Sequence, residues 1–430
     1  MIALTLAQIA EAVGGRLRLN GSDTAETPVS GDVDTDSRQI GAGGIFVAKP
    51  GETTDGHLFV DTAVAAGAVL AIVEHEVAAS VSQIVVADAV KALADLAHAV
   101  GARVRAGGRL RVVGITGSNG TTRYLVCEFG ASGPGEIARL AGLVEPDLGV
   151  VLMVGMAHAG GFGGIEATFA AKSELVRALR PGGTAVLNAD DARVAAMAPI
   201  AAERGADVLW FGTTPAADVR AADIEVDAAG TACTVRVDGA ATPLRLRVLG
   251  AHHVMNALAS IAAALALGVP AADSIARLET IELAERWRMQ PLGSDRVRII
   301  NDAYNASPDS MAAALRTLAQ ITAPQQRTVA VLGAMSELGE YAGEEHDRIG
   351  ELAVRLRIQR IVIVGAEARR MFLAAVGEGS WDGEPVFFAT ADEAYDYLMS
   401  ELRDGDRVLV KSSNAAGLRF LGDRLGESFS

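Results

Sequence analysis

The apolar positions of the chain follow two rhythms. One is helical: Leu6, Ile9, Ala10 and Val13 share a face at a 3.6-residue period, behind a Thr5-Leu6-Ala7-Gln8 capping box and ahead of Gly14-Gly15. That order predicts a short amphipathic helix. The other is continuous. LGVVLMVG (148–155) and GTAVLNADD (183–191) are apolar at successive positions, as strands buried on both faces are. Further strands are expected at Val297–Ile300, Thr328–Leu332, Arg360–Val364, Val386–Ala389 and Arg407–Val410, with helical stretches between them. Strands alternating with helices predict an α/β fold on parallel, doubly wound sheets. Residues 34–60 have loop composition around one short strand, Ile45 to Ala48, and the Gly/Arg stretch 101–111 reads as a linker. From 112 to about 290 the expected pattern is strand, glycine turn, helix. Three domains are predicted: 1–107, 108–292 and 293–430.

Composition narrows the class. At 430 residues the chain exceeds what one hydrophobic core sustains. Half of it is apolar, 4% is aromatic and 47 residues are glycine, which suits Ala- and Val-rich helices on buried strands. A net charge of −15 excludes a nucleic-acid partner, which requires a basic face. Two cysteines, Cys127 and Cys233, provide no disulfide framework or cysteine metal site. With no leader pattern and no apolar run of about 18 residues, the expectation is a cytoplasmic protein that is not embedded in a membrane.

The stretch VVGITGSNGTTRYLVC (112–127) carries the sharpest chemical question. A glycine-rich loop after a strand can point backbone N–H groups at phosphate oxygens, with a following helix adding its positive end. Here a second apolar strand follows at once, and Asn119-Gly120 is equally a good hairpin turn. Locally the two readings stay level. Other candidates are weak when taken singly. Glu128 is a strand-end acid that a cation or plain solvent would satisfy, His158 follows an apolar strand, and Lys172 lies fourteen residues beyond it. In GAHHVMNALASIAAALALG (250–268), His252 and Asn256 open a helix whose core face is Leu258, Ile261, Ala262 and Leu265, and a polar start is also what a cap looks like.

Taken in order, the pieces resemble the Mur ligase family of ATP-dependent amino-acid ligases. TDSRQIGAGGIFVAKPGETTDGH looks like its uridine-nucleotide-binding domain, GITGSNG like its ATP loop, and GAHHVMNALA like its adenine-side motif. RWRMQ is similar to its arginine motif and NDAYNASPDSM to the motif opening its C-terminal domain. DAYNASPDSM, VLGAMSELGE and VLVKSSNAAGL look most like the member that joins D-alanyl-D-alanine to UDP-N-acetylmuramoyl-tripeptide. The resemblance implies a UDP-substrate domain, a central ATP-binding parallel-sheet domain and a C-terminal Rossmann-like domain, acting as a monomer with ATP and Mg2+. It implies Glu128, His158 and a carbamylated Lys172 as magnesium ligands, with Arg288 approaching the γ-phosphate. Gly114, Ile115, Thr116, Gly117, Ser118, Asn119 and Gly120 would cradle ATP, with Asn256 on adenine and Asp302 on the nucleotide. Ser37, Arg38, Asp55, Gly56 and His57 would face the UDP portion, and Asn305 and Asp309 the D-Ala-D-Ala pocket.

The chain also departs from the family pattern. Met153 and His253 stand where Asn is usual, Gly160 where Glu is usual, and Ala334 where Asp is usual. Gly160 removes a carboxylate from the expected active-site rim. The lysine expected after Gly120 is missing too. Because the motifs on both sides keep their order, the expectation is a natural chain with Lys-Thr or Lys-Ser, a crossover helix and a loop between Gly120 and Thr121, and an intact mass above 44.4 kDa. The alternatives are a pseudoenzyme that binds UDP-muramyl peptide without ATP turnover, and another Mur-type or folylpolyglutamate-type ligase.

Overall fold

The computed structural model describes residues 1–51, 54–106, 111–114, 124–131, 133–156, 159–282, 285–379 and 383–430. The chain forms two compact units, one made mainly of Met1–Val113 and the other mainly of Asp147–Ser430.

In the first unit the predicted capping box forms. Thr5 Oγ1 accepts from Gln8 N at 3.2 Å, Gln8 Oε1 accepts from Thr5 N at 3.1 Å, and helix Leu6–Ala12 follows. Leu6, Ile9, Ala10 and Val13 are all buried. They pack against a five-stranded sheet ordered Arg16–Arg18, Ser82–Val85, Ala68–Val73, Gly44–Val47, Val33–Asp34, antiparallel only at the first pair. The expected linker differs. Helix Ala89–Ala106 runs through most of it, because Ala89, Ala92 and Leu96 bury one face and the Ala/Arg/Val turns beyond outweigh the cost of Gly101. Strands Arg111–Gly114 and Tyr124–Cys127 lie side by side. The residues joining them, and with them the expected ATP-loop residues from Ile115 to Gly120, lie outside the described residues.

The second unit holds two sheets. In the first, strands Leu148–Val151, Thr184–Asn188, Asp207–Gly212 and Val219–Asp227 run parallel. The sheet then continues as an antiparallel meander, Val219–Asp227, Gly230–Val237 and Ala240–Leu246, where more strand-helix alternation was expected. Asp238 and Gly239, at φ 48° and 80°, make the tight turn that allows it. The second sheet has the order Gln290–Gly293, Arg298–Asn301, Asp406–Lys411, Arg327–Leu332, Arg360–Val364, Glu384–Phe388 and is parallel except at its first pair. All five strands expected in this region are present. Helices Pro308–Ile321, Ala342–Arg355 and Arg369–Glu378 help bury one side of it and Leu418–Ser428 the other.

Candidate active site

Strand Leu148–Val151 ends in a loop whose backbone loses its ladder partners and takes side chains instead. Leu152 O accepts from Asn188 Nδ2 at 2.8 Å and Met153 O from Lys172 Nζ at 2.6 Å. Val154 N donates to Asp191 Oδ2 at 2.8 Å and Met156 N to Asp309 Oδ2 at 3.2 Å. Four elements thus hold one loop, and the chain leads from it directly to His158, which lies outside the described residues together with Ala157. At Gly155 a Cβ would stand 2.4 Å from Asp309 Oδ2, so a larger residue there would displace that carboxylate. Burial pushes the Lys172 ammonium down from its ordinary value, opposed by the nearby Asp191 and Asp309 carboxylates.

Gly160 has a structural counterpart for its missing side chain. Its N–H donates to Glu337 O at 3.0 Å, and a Cβ on it would sit 2.5 Å from Gly339 N. Backbone meets backbone at that point.

A second cluster surrounds the arginine motif. Asp302 Oδ1 accepts from Met289 N at 2.9 Å, and Asp302 Oδ2 accepts from Lys411 Nζ at 2.6 Å. Arg288 pairs with Glu285 at 2.5 Å, and its guanidinium lies 4.2 Å from the centre of the Tyr304 ring. Trp287 and Met289 on either side of it have φ of 64° and 50°, in the left-handed region that bulky residues rarely adopt. The His252 and His253 ring centres lie 4.1 Å apart, with the ring planes tilted by 40°. Burial, with help from His253 and Lys411, holds His252 down at about 3, and burial also lowers His253. One turn further on, Asn256 is exposed and free to meet a ligand.

In the first unit Ser37 is buried, and Arg38 forks onto Asp36 through Nε at 2.9 Å and Nη2 at 2.7 Å. His57 is committed at both ring nitrogens. Nε2 accepts from Glu74 N at 2.8 Å, which leaves the proton on Nδ1 to be donated to Asp55 Oδ1 at 2.6 Å. Gly56 packs its Cα against Lys49, where a Cβ would come within 2.6 Å of the carbonyl oxygen. Asp55, Gly56 and His57 therefore shape this turn from within.

The structure thus brings Lys172 and Asp309 to one loop, and Arg288, Asp302, Asn305 and Lys411 to another. Glu128 is exposed just beyond its strand. Among the described residues no group of three or more His, Cys, Asp or Glu side chains is close enough to hold a metal. Sequence reasoning missed Asn188, Asp191 and Lys411. A charged residue at the end of an apolar strand, as in VLVKSS, is the signal that singles out Lys411.

Three family models match the chain: "Mur ligase family, catalytic domain" over 32–104, "Mur ligase middle domain" over 115–264 and "Mur ligase, glutamate ligase domain" over 287–414. The UDP-N-acetylmuramoyl-tripeptide–D-alanyl-D-alanine ligases of Mycobacterium bovis and Mycobacterium tuberculosis are 40% identical over 505 residues, covering 99% of this chain and 98% of each relative. The Escherichia coli enzyme of the same name is 29% identical, with 97% of each chain covered. A crystal structure of MurF from Acinetobacter baumannii superposes with a TM-score of 0.86 at 28% identity, covering 99% of both chains. Three matched segments in family order and likeness along nearly the whole length place the chain in the Mur ligase family.

Proposed function

We propose that this ATP-dependent ligase joins the amino group of D-alanyl-D-alanine to the free carboxylate of UDP-N-acetylmuramoyl-tripeptide. The observation that carries this reading is 40% identity to ligases of that name over 99% of the chain. A free carboxylate repels an amine and lacks an adequate leaving group. ATP therefore transfers its γ-phosphoryl group to a carboxylate oxygen, giving an acyl phosphate and ADP. The amine attacks the acyl carbon, loses a proton, and the tetrahedral intermediate expels phosphate as the amide forms. Negative charge grows on phosphoryl oxygens, so cationic groups supply most of the stabilisation. In this assignment Arg288 faces the γ-phosphate, while Asn256 contacts adenine and Asp302 the nucleotide.

Burial supports the role assigned to Lys172. It favours the neutral amine, the form that attacks carbon dioxide to give a carbamate with loss of a proton. A carbamylated Lys172 and Glu128 offer hard oxygen donors of the class Mg2+ prefers, and His158 completes the assigned set; the ion supplies positive charge beside the phosphoryl oxygens. The carbonyl of Met153 and the carboxylates of Asp191 and Asp309 orient the Lys172 stem and its loop. Domain limits of 1–107, 108–292 and 293–430 and a monomeric state belong to the same reading.

The phosphate loop belongs here as well. The mycobacterial relatives align over 505 positions against the 430 residues of this chain, so at least 75 aligned positions have no counterpart in it. That excess is large enough to hold a lysine-bearing segment, a crossover helix and a loop, which this reading assigns to the interval between Gly120 and Thr121. The function is tested by phosphate release. Turnover should require ATP, magnesium, the UDP-tripeptide and D-Ala-D-Ala together. Turnover with a single amino acid such as diaminopimelate, and none with the dipeptide, would assign the chain to a different member of the family.

A further inference from the structure

Lys411 is 2% exposed in the second unit and has no place in the roles assigned so far. Its ammonium donates to Asp302 Oδ2 at 2.6 Å, Asn305 O at 3.1 Å and Asp302 O at 3.3 Å. An ammonium has three protons and no acceptor, so these contacts use its whole capacity. It has none left for a phosphate or a ribose. Asp302, in contrast, keeps capacity. A carboxylate has about four lone-pair sites, and Asp302 spends one on Lys411 and one on Met289 N at 2.9 Å. Met289 adjoins Arg288 in a segment whose left-handed residues Trp287 and Met289 need outside support to persist.

We propose that Lys411 is a positioning residue for nucleotide binding: it fixes the 302–305 turn and, through Asp302, the backbone on which Arg288 stands, without touching the nucleotide itself. This rests on the assignment of ATP to the Asn256–Asp302–Arg288 cluster. The geometry explains why a lysine is buried directly after the apolar run Val408–Val410. Its charge lets an anionic Asp302 stay at the edge of the site, desolvated on one side and open to ligand on the other.

The test is a double-mutant cycle read by ADP binding in titration calorimetry, which does not depend on the identity of the acceptor. Lys411→Met and Asp302→Asn should each weaken ADP by about ten- to a hundredfold, the range for losing a charge-assisted contact. The double variant also removes the buried unpaired charge that endangers the fold of the single lysine variant, and it should bind ADP no worse than the weaker single. In turnover, Lys411→Met should raise the KM for ATP while the KM for the UDP-tripeptide stays within about twofold, a selectivity that general destabilisation does not produce. Multiplying effects in the double variant would mean that Lys411 contacts the nucleotide directly, and would overturn the proposal. So would a Lys411→Met enzyme with unchanged affinity for ADP. Failure of the ligase assay with D-Ala-D-Ala, while the binding cycle holds, would count against the proposed acceptor and leave the role of Lys411 standing.

Discussion

Acidification should destabilise this protein through a group at the start of the helix His252–Ala266. His252 is held at about 3 in the folded state against 6.5 for a free imidazole. Its Nδ1 is buried with no hydrogen-bond partner among the described residues, so the folded state keeps the ring neutral. The unfolded chain takes up the proton near 6.5. The stabilisation is therefore complete above about 6.5 and drains away as the pH falls, reaching its limit near 3. Treating His252 as one independent group, the loss between pH 7.5 and pH 5 is ~2 kcal/mol. For a unit of about 300 residues that corresponds to a fall of ~3 °C in melting temperature. His253, also lowered by burial, adds in the same direction. The assay is thermal unfolding from pH 7.5 to pH 5 for the wild type and His252→Gln. The variant should start lower, because it disturbs packing against Gly250, but its melting temperature should fall less steeply with acid. Parallel curves for the two proteins would refute the reasoning.

Lys172→Ala should abolish phosphate release, and short carboxylates such as acetate should restore part of it by filling the vacated ligand position; full activity in the variant alone would remove Lys172 from the site. Gly160→Glu puts back the carboxylate that the family usually carries, yet its Cβ would stand 2.5 Å from Gly339 N, and backbone cannot swing aside. The expected result is a loss of ~1–3 kcal/mol in stability and lower turnover, checked by thermal unfolding and phosphate release. A Gly160→Glu protein as stable and active as the parent would contradict the contact between these two segments.

Much of the architecture was legible because burial writes itself into sequence. The five parallel strands of the C-terminal sheet carry apolar runs and were expected to within a residue or two, whereas the antiparallel edge strand Gln290–Gly293, with one apolar side chain besides its proline, was not. The meander at 219–246 was not foreseen, although Asp238-Gly239 between alternating strands is a hairpin signal. The helical rhythm expected around it masked that signal. At the site, motif residues were legible and their supports were not. Asn188 and Asp191 hold backbone groups of residues 152 and 154, across 36 and 37 residues of chain. Contacts of that kind depend on where two strand ends meet in space, and they leave no spacing to read. His57 shows the converse: conspicuous in sequence, it spends its ring nitrogens on the neighbouring Asp55 carboxylate and on the Glu74 backbone.

The support of the arginine motif also bears on how the protein is made. Arg286 reaches Asp423 at 2.7 Å and Trp287 Nε1 reaches the same carboxylate at 3.0 Å, across 137 and 136 residues of chain. At synthesis rates of roughly 5–20 residues per second, the Arg288 segment leaves the ribosome about 7–30 seconds before its partner is made. Locally its backbone is held by Trp287 N donating to Gln290 Oε1 at 2.9 Å, while the Arg286 and Trp287 side chains lack their carboxylate during that wait. The segment carrying Arg288, which the proposed function places at the γ-phosphate, is therefore completed only once Asp423 has been made. On this geometry the nucleotide is a ligand for the finished protein, and a nascent chain with a folded central sheet would still bind ATP poorly.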